Sequence, residues 1–159
     1  MNVFVKATPA PKPRTKESHQ VAILYAALLV TFAVAQLFTF DEFIELVPNF
    51  QPPLGDALVY AIAPLIVTVE VFALPFLLGM ALSPAFRWLS MACGWLAAGL
   101  WVGISAWVVF TQPAVETIGF LGGIGELTPG WWALCIPIAL SILAIWASWG
   151  LWPGKRTKK

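Results

Sequence analysis

The stretch "APLIVTVEVFALPFLLG", residues 63–79, carries one ionisable group, Glu70, in an otherwise apolar run that also holds Pro64 and Pro75. A carboxyl in that setting can hold or relay a proton, bond a quinone or another small ligand, or act as an interhelical hydrogen bond. Placing its charge at mid-bilayer costs about 2.5–3.5 kcal/mol on insertion scales, so Glu70 is expected to be neutral or paired and to face other helices. No Lys, Arg or His shares its depth. Thr31 and Ser141 fall near the same level if successive spans alternate in direction, and they are the expected partners. Two indoles, Trp95 and Trp101, lie deep in the third apolar segment. Core packing or lipid contact is the simpler reading of both, and the wall of a quinone pocket is the alternative. No residue type or spacing identifies a catalytic group.

The remaining reactive side chains exclude several chemistries. Cys93 is expected about 10 Å deep from one face and Cys135 about 6 Å from the other, at 1.5 Å per helical residue. In a core about 30 Å thick that leaves them too far apart for a disulfide, which needs Cα atoms within about 7 Å. There is no CxxC pair. The one histidine, His19, lies at a span end, so bis-His haem ligation inside the bundle is excluded. No metal-ligand cluster, phosphate-binding loop, dinucleotide fingerprint or hydrolase triad is present.

These groups must be positioned by membrane helices. Of the 159 residues 60% are hydrophobic and 11% charged, with a mean hydropathy of +0.83, outside the range of soluble domains. Four segments, 21–40, 58–82, 86–110 and 131–152, are long enough to cross a hydrocarbon core, which takes about 20 apolar residues. The fold class is therefore all-α: an antiparallel bundle of four transmembrane helices in contact with the lipid bilayer. Lys6, Lys12, Arg14 and Lys16 precede the first span, Arg87 lies between the second and third, and Lys155, Arg156, Lys158 and Lys159 follow the fourth. The other two connections hold Asp41, Glu42, Glu45, Asp56, Glu116 and Glu126 and no Lys or Arg. By the positive-inside rule both termini are expected in the cytoplasm. Residues 1–20 are expected as a disordered basic tail that touches anionic headgroups, and 153–159 as a second basic tail. Ala33-Val34-Ala35 resembles a signal-peptidase site, but the apolar run continues to Phe40, so the first span is expected to be retained. The net charge of +1 gives no indication of nucleic-acid binding.

Within the bundle, small residues permit close helix approach. Ala92, Gly99, Gly103 and Ala106 share one face of the third span, and Gly99-Gly103 forms a GxxxG. The expectation is packing against another span, with a homo-oligomer seam as the alternative. Pro64, Pro75 and Pro137 each remove a helical donor, so neighbouring helices or hydroxyls must satisfy the freed carbonyls. Trp88, Trp107, Trp131, Trp132, Trp149 and Trp152 mark span ends as interfacial anchors.

This order of features resembles the DoxX/MauE-like superfamily of small four-span bacterial membrane proteins. "FTFDEFIELVPNF" matches the outward amphipathic segment after the first span. "APLIVTVEVFALPFLLGMALSP" matches a second span with a proline and then a glutamate, and "FRW" the short basic turn. The MauE branch carries Cys-Gly-Cys-Phe-Gly before its last span. Here "TIGFLGGIGELTPGWWALC" has Ile118 and Leu121 in that region, and Gly119, Phe120, Gly122 and Gly123 keep its Gly/Phe character without the thiols. The resemblance implies a bacterial inner-membrane protein and a non-catalytic accessory subunit for a membrane or extracytoplasmic redox protein. A quinone-interacting oxidoreductase subunit with a pocket near Glu70 is the alternative, and a small proton-coupled carrier a weaker one, since a single intramembrane acid makes a poor relay.

Overall fold

A computed structural model of the chain describes residues 7–51, 56–111, 115, 117–124 and 130–153, with no side-chain detail for 56–58. Among the described residues five helices follow one another: α1 (Lys16–Phe38), α2 (Phe40–Asn49), α3 (Asp56–Leu77), α4 (Pro84–Thr111) and α5 (Trp132–Gly150). All but α2 are long and apolar enough to cross a membrane. Their outward faces are apolar as well: Leu24, Leu37, Leu65, Leu96, Ile138, Ile142 and Ile145 are all exposed. That is the surface of a multi-pass membrane protein, whose solvent at mid-height is lipid.

Local sequence sets the ends of these helices. Thr15 caps α1 by accepting from the Ser18 N–H, while Ser18 accepts in return from the Thr15 N–H. This reciprocal capping box starts the helix at Lys16, so residues 16–20 are helical rather than part of a tail. After α3 the chain turns at Gly79, whose φ of +66° suits glycine. The Met80 N–H bonds the Pro75 carbonyl and the Gly79 N–H that of Phe76, the paired bonds of a Schellman stop. Pro84 then opens α4 at the first helical position, where its missing N–H costs nothing.

α1 packs on α3 and α5, and α4 packs on the same two, giving the ring α1-α3-α4-α5. Each helix runs antiparallel to its neighbours, as in an up-down-up-down bundle. The Arg14 N–H bonds the Gly150 carbonyl, and Thr8 forms a two-bond bridge with Leu82. The start of α1, the α3–α4 turn and the end of α5 therefore share one end, which also carries Lys12, Arg14, Lys16 and Arg87. The opposite, acidic end carries α2 with Asp41, Glu42 and Glu45.

Two details of the fold depart from expectation. Residues 7–14 lie across the basic end, held by Arg87, whose guanidinium donates to the carbonyls of Thr8 (2.7 Å), Pro9 (3.1 Å) and Leu82 (3.4 Å); residues 1–6 and 154–159 of the expected tails lie outside the described residues. The small face of α4 points outward. A Cβ at Gly99 or Gly103 would meet no heavy atom within 4 Å. The bundle instead takes Gly94, Ala97, Ala98 and Trp101 as its buried face, leaving Gly99 and Gly103 on the far side of the helix.

Candidate functional site

Pro75 in α3 and the acid before it, Glu70, define where the buried polar groups gather. Ser90 of α4 is fully buried beside the Pro75 turn. Its hydroxyl donates to the Phe72 carbonyl at 2.6 Å and accepts from the Phe76 N–H at 3.0 Å. A side chain from the next helix thus spans the weakened turn. Across the bundle the Tyr25 hydroxyl donates to the Gly94 carbonyl at 2.7 Å. These bonds fix α1, α3 and α4 around Glu70.

Glu70, Gln36, Trp101 and Ser105 are each 0% exposed. The Trp101 Nε1–H donates to Glu70 Oε1 at 2.8 Å, and the Gln36 amide stands beside the same carboxyl. Gln36 Nε2 also donates to the Phe120 carbonyl at 3.1 Å. The Phe120 ring in turn packs on Trp101, centroids 4.6 Å apart, and on Phe32 at 5.9 Å. Contacts therefore close a circuit through α3, α4, residues 117–124 and α1.

Residues 117–124 reach this depth because they are short of side chains where the bundle is tightest. Gly122 has φ +60°, and a Cβ there would fall on Thr39 Oγ1 and within 3.0 Å of Gln36 Cα. The Gly123 N–H bonds Thr39 Oγ1 at 2.8 Å, and that hydroxyl donates to Ala35 O at 3.1 Å. Ile118 and Phe120 are buried, as are Phe43 and Val47 of α2. Trp107 of α4 donates to the Phe50 carbonyl just after α2. α2 and 117–124 together cover the acidic end of the bundle.

Three polar atoms of the site show which form of the acid it suits. Glu70 Oε2, Gln36 Oε1 and Ser105 Oγ are buried and have no hydrogen-bond partner among the described residues. A carboxylate here would need donors or a nearby cation. Arg87, Arg14 and their basic neighbours lie at the other end of the bundle. The donors present are the Trp101 indole at Oε1 and the Gln36 amide beside the carboxyl, and a carboxylic acid with its proton on Oε2 needs no further donor there.

Of the residues singled out from sequence, the structure joins Glu70 and Trp101 and separates the others. Thr31 is exposed and donates to the Ala27 carbonyl, and Ser141 donates to that of Pro137. Each hydroxyl is engaged four residues back along its own helix, so neither is a partner of Glu70. Trp95 is half-exposed and bonds Ser148 Oγ at 2.7 Å; six residues before Trp101, it lies on a different face. Gly99 and Gly103 are not part of the site. Cys93 and Cys135 are both free, the first buried and the second exposed. Among the described residues no group of three His, Cys, Asp or Glu could hold a metal. Gln36, Ser90 and Ser105 are not marked by sequence reasoning, and Phe120 is marked only as part of the Gly/Phe-rich stretch before the last span. A glutamine inside an apolar span was the available sign for Gln36.

Compared with known proteins, the chain matches no family model, no curated protein and no solved structure. Function has to be read from the enclosed polar site, the folded acidic end and the pattern of charge.

Proposed function

We propose that the protein is a DoxX/MauE-like membrane protein of the bacterial cytoplasmic membrane, with both termini inside, serving as a non-catalytic accessory subunit of a membrane or extracytoplasmic redox system. The observation that carries this reading is the closed acidic end. α2 and residues 117–124 are bonded down onto the bundle, and Asp41, Glu42 and Glu45 remain exposed on α2. A formed surface of that kind suits a partner better than a mobile loop does, because little ordering entropy is lost on docking. Full enclosure of Glu70 supports a carboxyl that holds structure rather than one that turns over substrate. Membranes from cells lacking the chain should contain less assembled redox partner, with unchanged turnover per partner molecule. Normal assembly with lost turnover would overturn the accessory role.

A second reading, a quinone-interacting oxidoreductase subunit, is favoured by Phe32, Trp101 and Phe120 packed together beside a carboxyl. Organic extraction of the purified chain distinguishes the two. Stoichiometric quinone that is lost in Trp101→Ala would support this second reading, and a quinone-free extract from an intact, folded preparation would count against it.

A further inference from the structure

We propose that residues 117–124 form a proton-controlled cap, seated on the bundle while the Glu70 carboxyl holds its proton and raised when that proton leaves. The Phe120 carbonyl accepts from Gln36 Nε2, the Gln36 amide stands beside Glu70, and Trp101 both donates to Glu70 and carries the Phe120 ring. Two of the contacts that seat Phe120, the Gln36 bond and the Trp101 ring, are thus one step from the acid. Loss of the proton to water turns Oε2 into a second acceptor, which competes with the Phe120 carbonyl for the Gln36 amide N–H. It also leaves a charge served only by two neutral donors, the Trp101 indole and the Gln36 amide, in a site where burial makes charge without a cation costly.

Among the described residues no cation faces the carboxyl. α1 contributes Gln36 and the Tyr25 hydroxyl, which is committed to Gly94. On α4 the titratable groups are Cys93, two helical turns from Trp101, and Arg87 at the basic end. The buried face of α5 has none. On α2, Asp41, Glu42 and Glu45 are exposed and of the same sign. Hydration is the remaining remedy. Gln36 sits in the last turn of α1, directly under Phe120, so the short path for water runs from the acidic end past 117–124. The inference holds whether or not a redox partner exists.

The test uses the full chain in lipid nanodiscs, with Cys93→Ala and Cys135→Ser as background and one new thiol at Ile118, which is fully buried in the cap. Alkylation of Ile118→Cys is divided by that of Phe38→Cys, an 82% exposed position at the same end, which removes the ordinary pH dependence of thiolate reactivity. The expected ratio is low in acid and rises about tenfold per pH unit through one titration, the slope of a single-proton linkage. Adding Glu70→Gln should hold the ratio low throughout, since an amide cannot ionise. A flat ratio with Glu70 present overturns the proposal. So does a pH-dependent or uniformly high ratio in the Glu70→Gln background.

Discussion

The two ends of the bundle handle buried polarity in opposite ways. At the basic end Arg87 is 8% exposed, yet its guanidinium meets the carbonyls of Thr8, Pro9 and Leu82 and the Thr8 hydroxyl. A permanent cation is satisfied there by backbone oxygens, two of which, those of Thr8 and Leu82, also accept within the Thr8–Leu82 bridge. Beneath the acidic end Glu70, Gln36 and Ser105 are more deeply buried, and each keeps an atom without a hydrogen-bond partner among the described residues. The first arrangement is a structural clamp; the second holds its geometry only while a proton is present. Burial alone does not separate them, because both are closed to solvent. What differs is that Arg87 is not among the described residues with a buried, unpartnered polar atom, whereas Glu70, Gln36 and Ser105 are.

Trp101 is where this contrast can be broken most severely. Trp101→Ala removes a fully buried indole that packs on Phe120 and Phe32. It should destabilise the bundle by about 3–5 kcal/mol, read from a reversible SDS-unfolding titration; a loss below about 1 kcal/mol would mean that the acidic end is not tied to the core through this ring. Next comes Arg87→Met, expected to cost about 2 kcal/mol because its bonds are charge-assisted. It should also expose residues 7–14 to limited proteolysis without altering alkylation in the cap. A third step down is Gly122→Ala, at about 1–2 kcal/mol, since the methyl would have to displace the Thr39 hydroxyl or the backbone of α1 at a positive φ. Gly99→Ala and Gly103→Ala serve as its controls, with open space around both and changes within about 0.5 kcal/mol expected.

Glu70 should show a smaller effect on stability than Trp101, Arg87 or Gly122. Glu70→Gln preserves size and a donor, so unfolding at neutral pH should shift by less than about 1 kcal/mol. Glu70→Leu loses an interhelical bond of about 0.6–2 kcal/mol while relieving insertion cost, so its net change should also be small. A large loss in Glu70→Gln would show that the site contains an ionised carboxylate.

Much of the bundle is legible in the amino-acid sequence. Apolar runs of membrane length locate α1, α3, α4 and α5, because in lipid a helix must satisfy its own backbone and its length is set by the bilayer. Glu70 is equally plain, since a lone acid among apolar residues needs an explanation. Its partners are not. Depth along the membrane points to Thr31 and Ser141, but depth ignores rotation about the helix axis, and both hydroxyls bond their own helices. The GxxxG of α4 misleads for the same reason: small residues permit close approach without deciding which face receives it. Gln36 and Phe120 are 84 residues apart in sequence, and no local period links them.

By itself, then, the sequence determined that this chain has four apolar helices, where they begin and end to within a few residues, which connections are basic or acidic, and that one carboxyl is buried among them. Those properties follow from composition and local backbone chemistry. Only the tertiary structure decided that Trp101 rather than Trp95 faces Glu70, that Gln36 couples this acid to residues 117–124, and that residues 7–14 bind across the basic end. Each of these depends on helix rotation and on loops folding back over a bundle, quantities set by packing many residues at once rather than by any single stretch of chain.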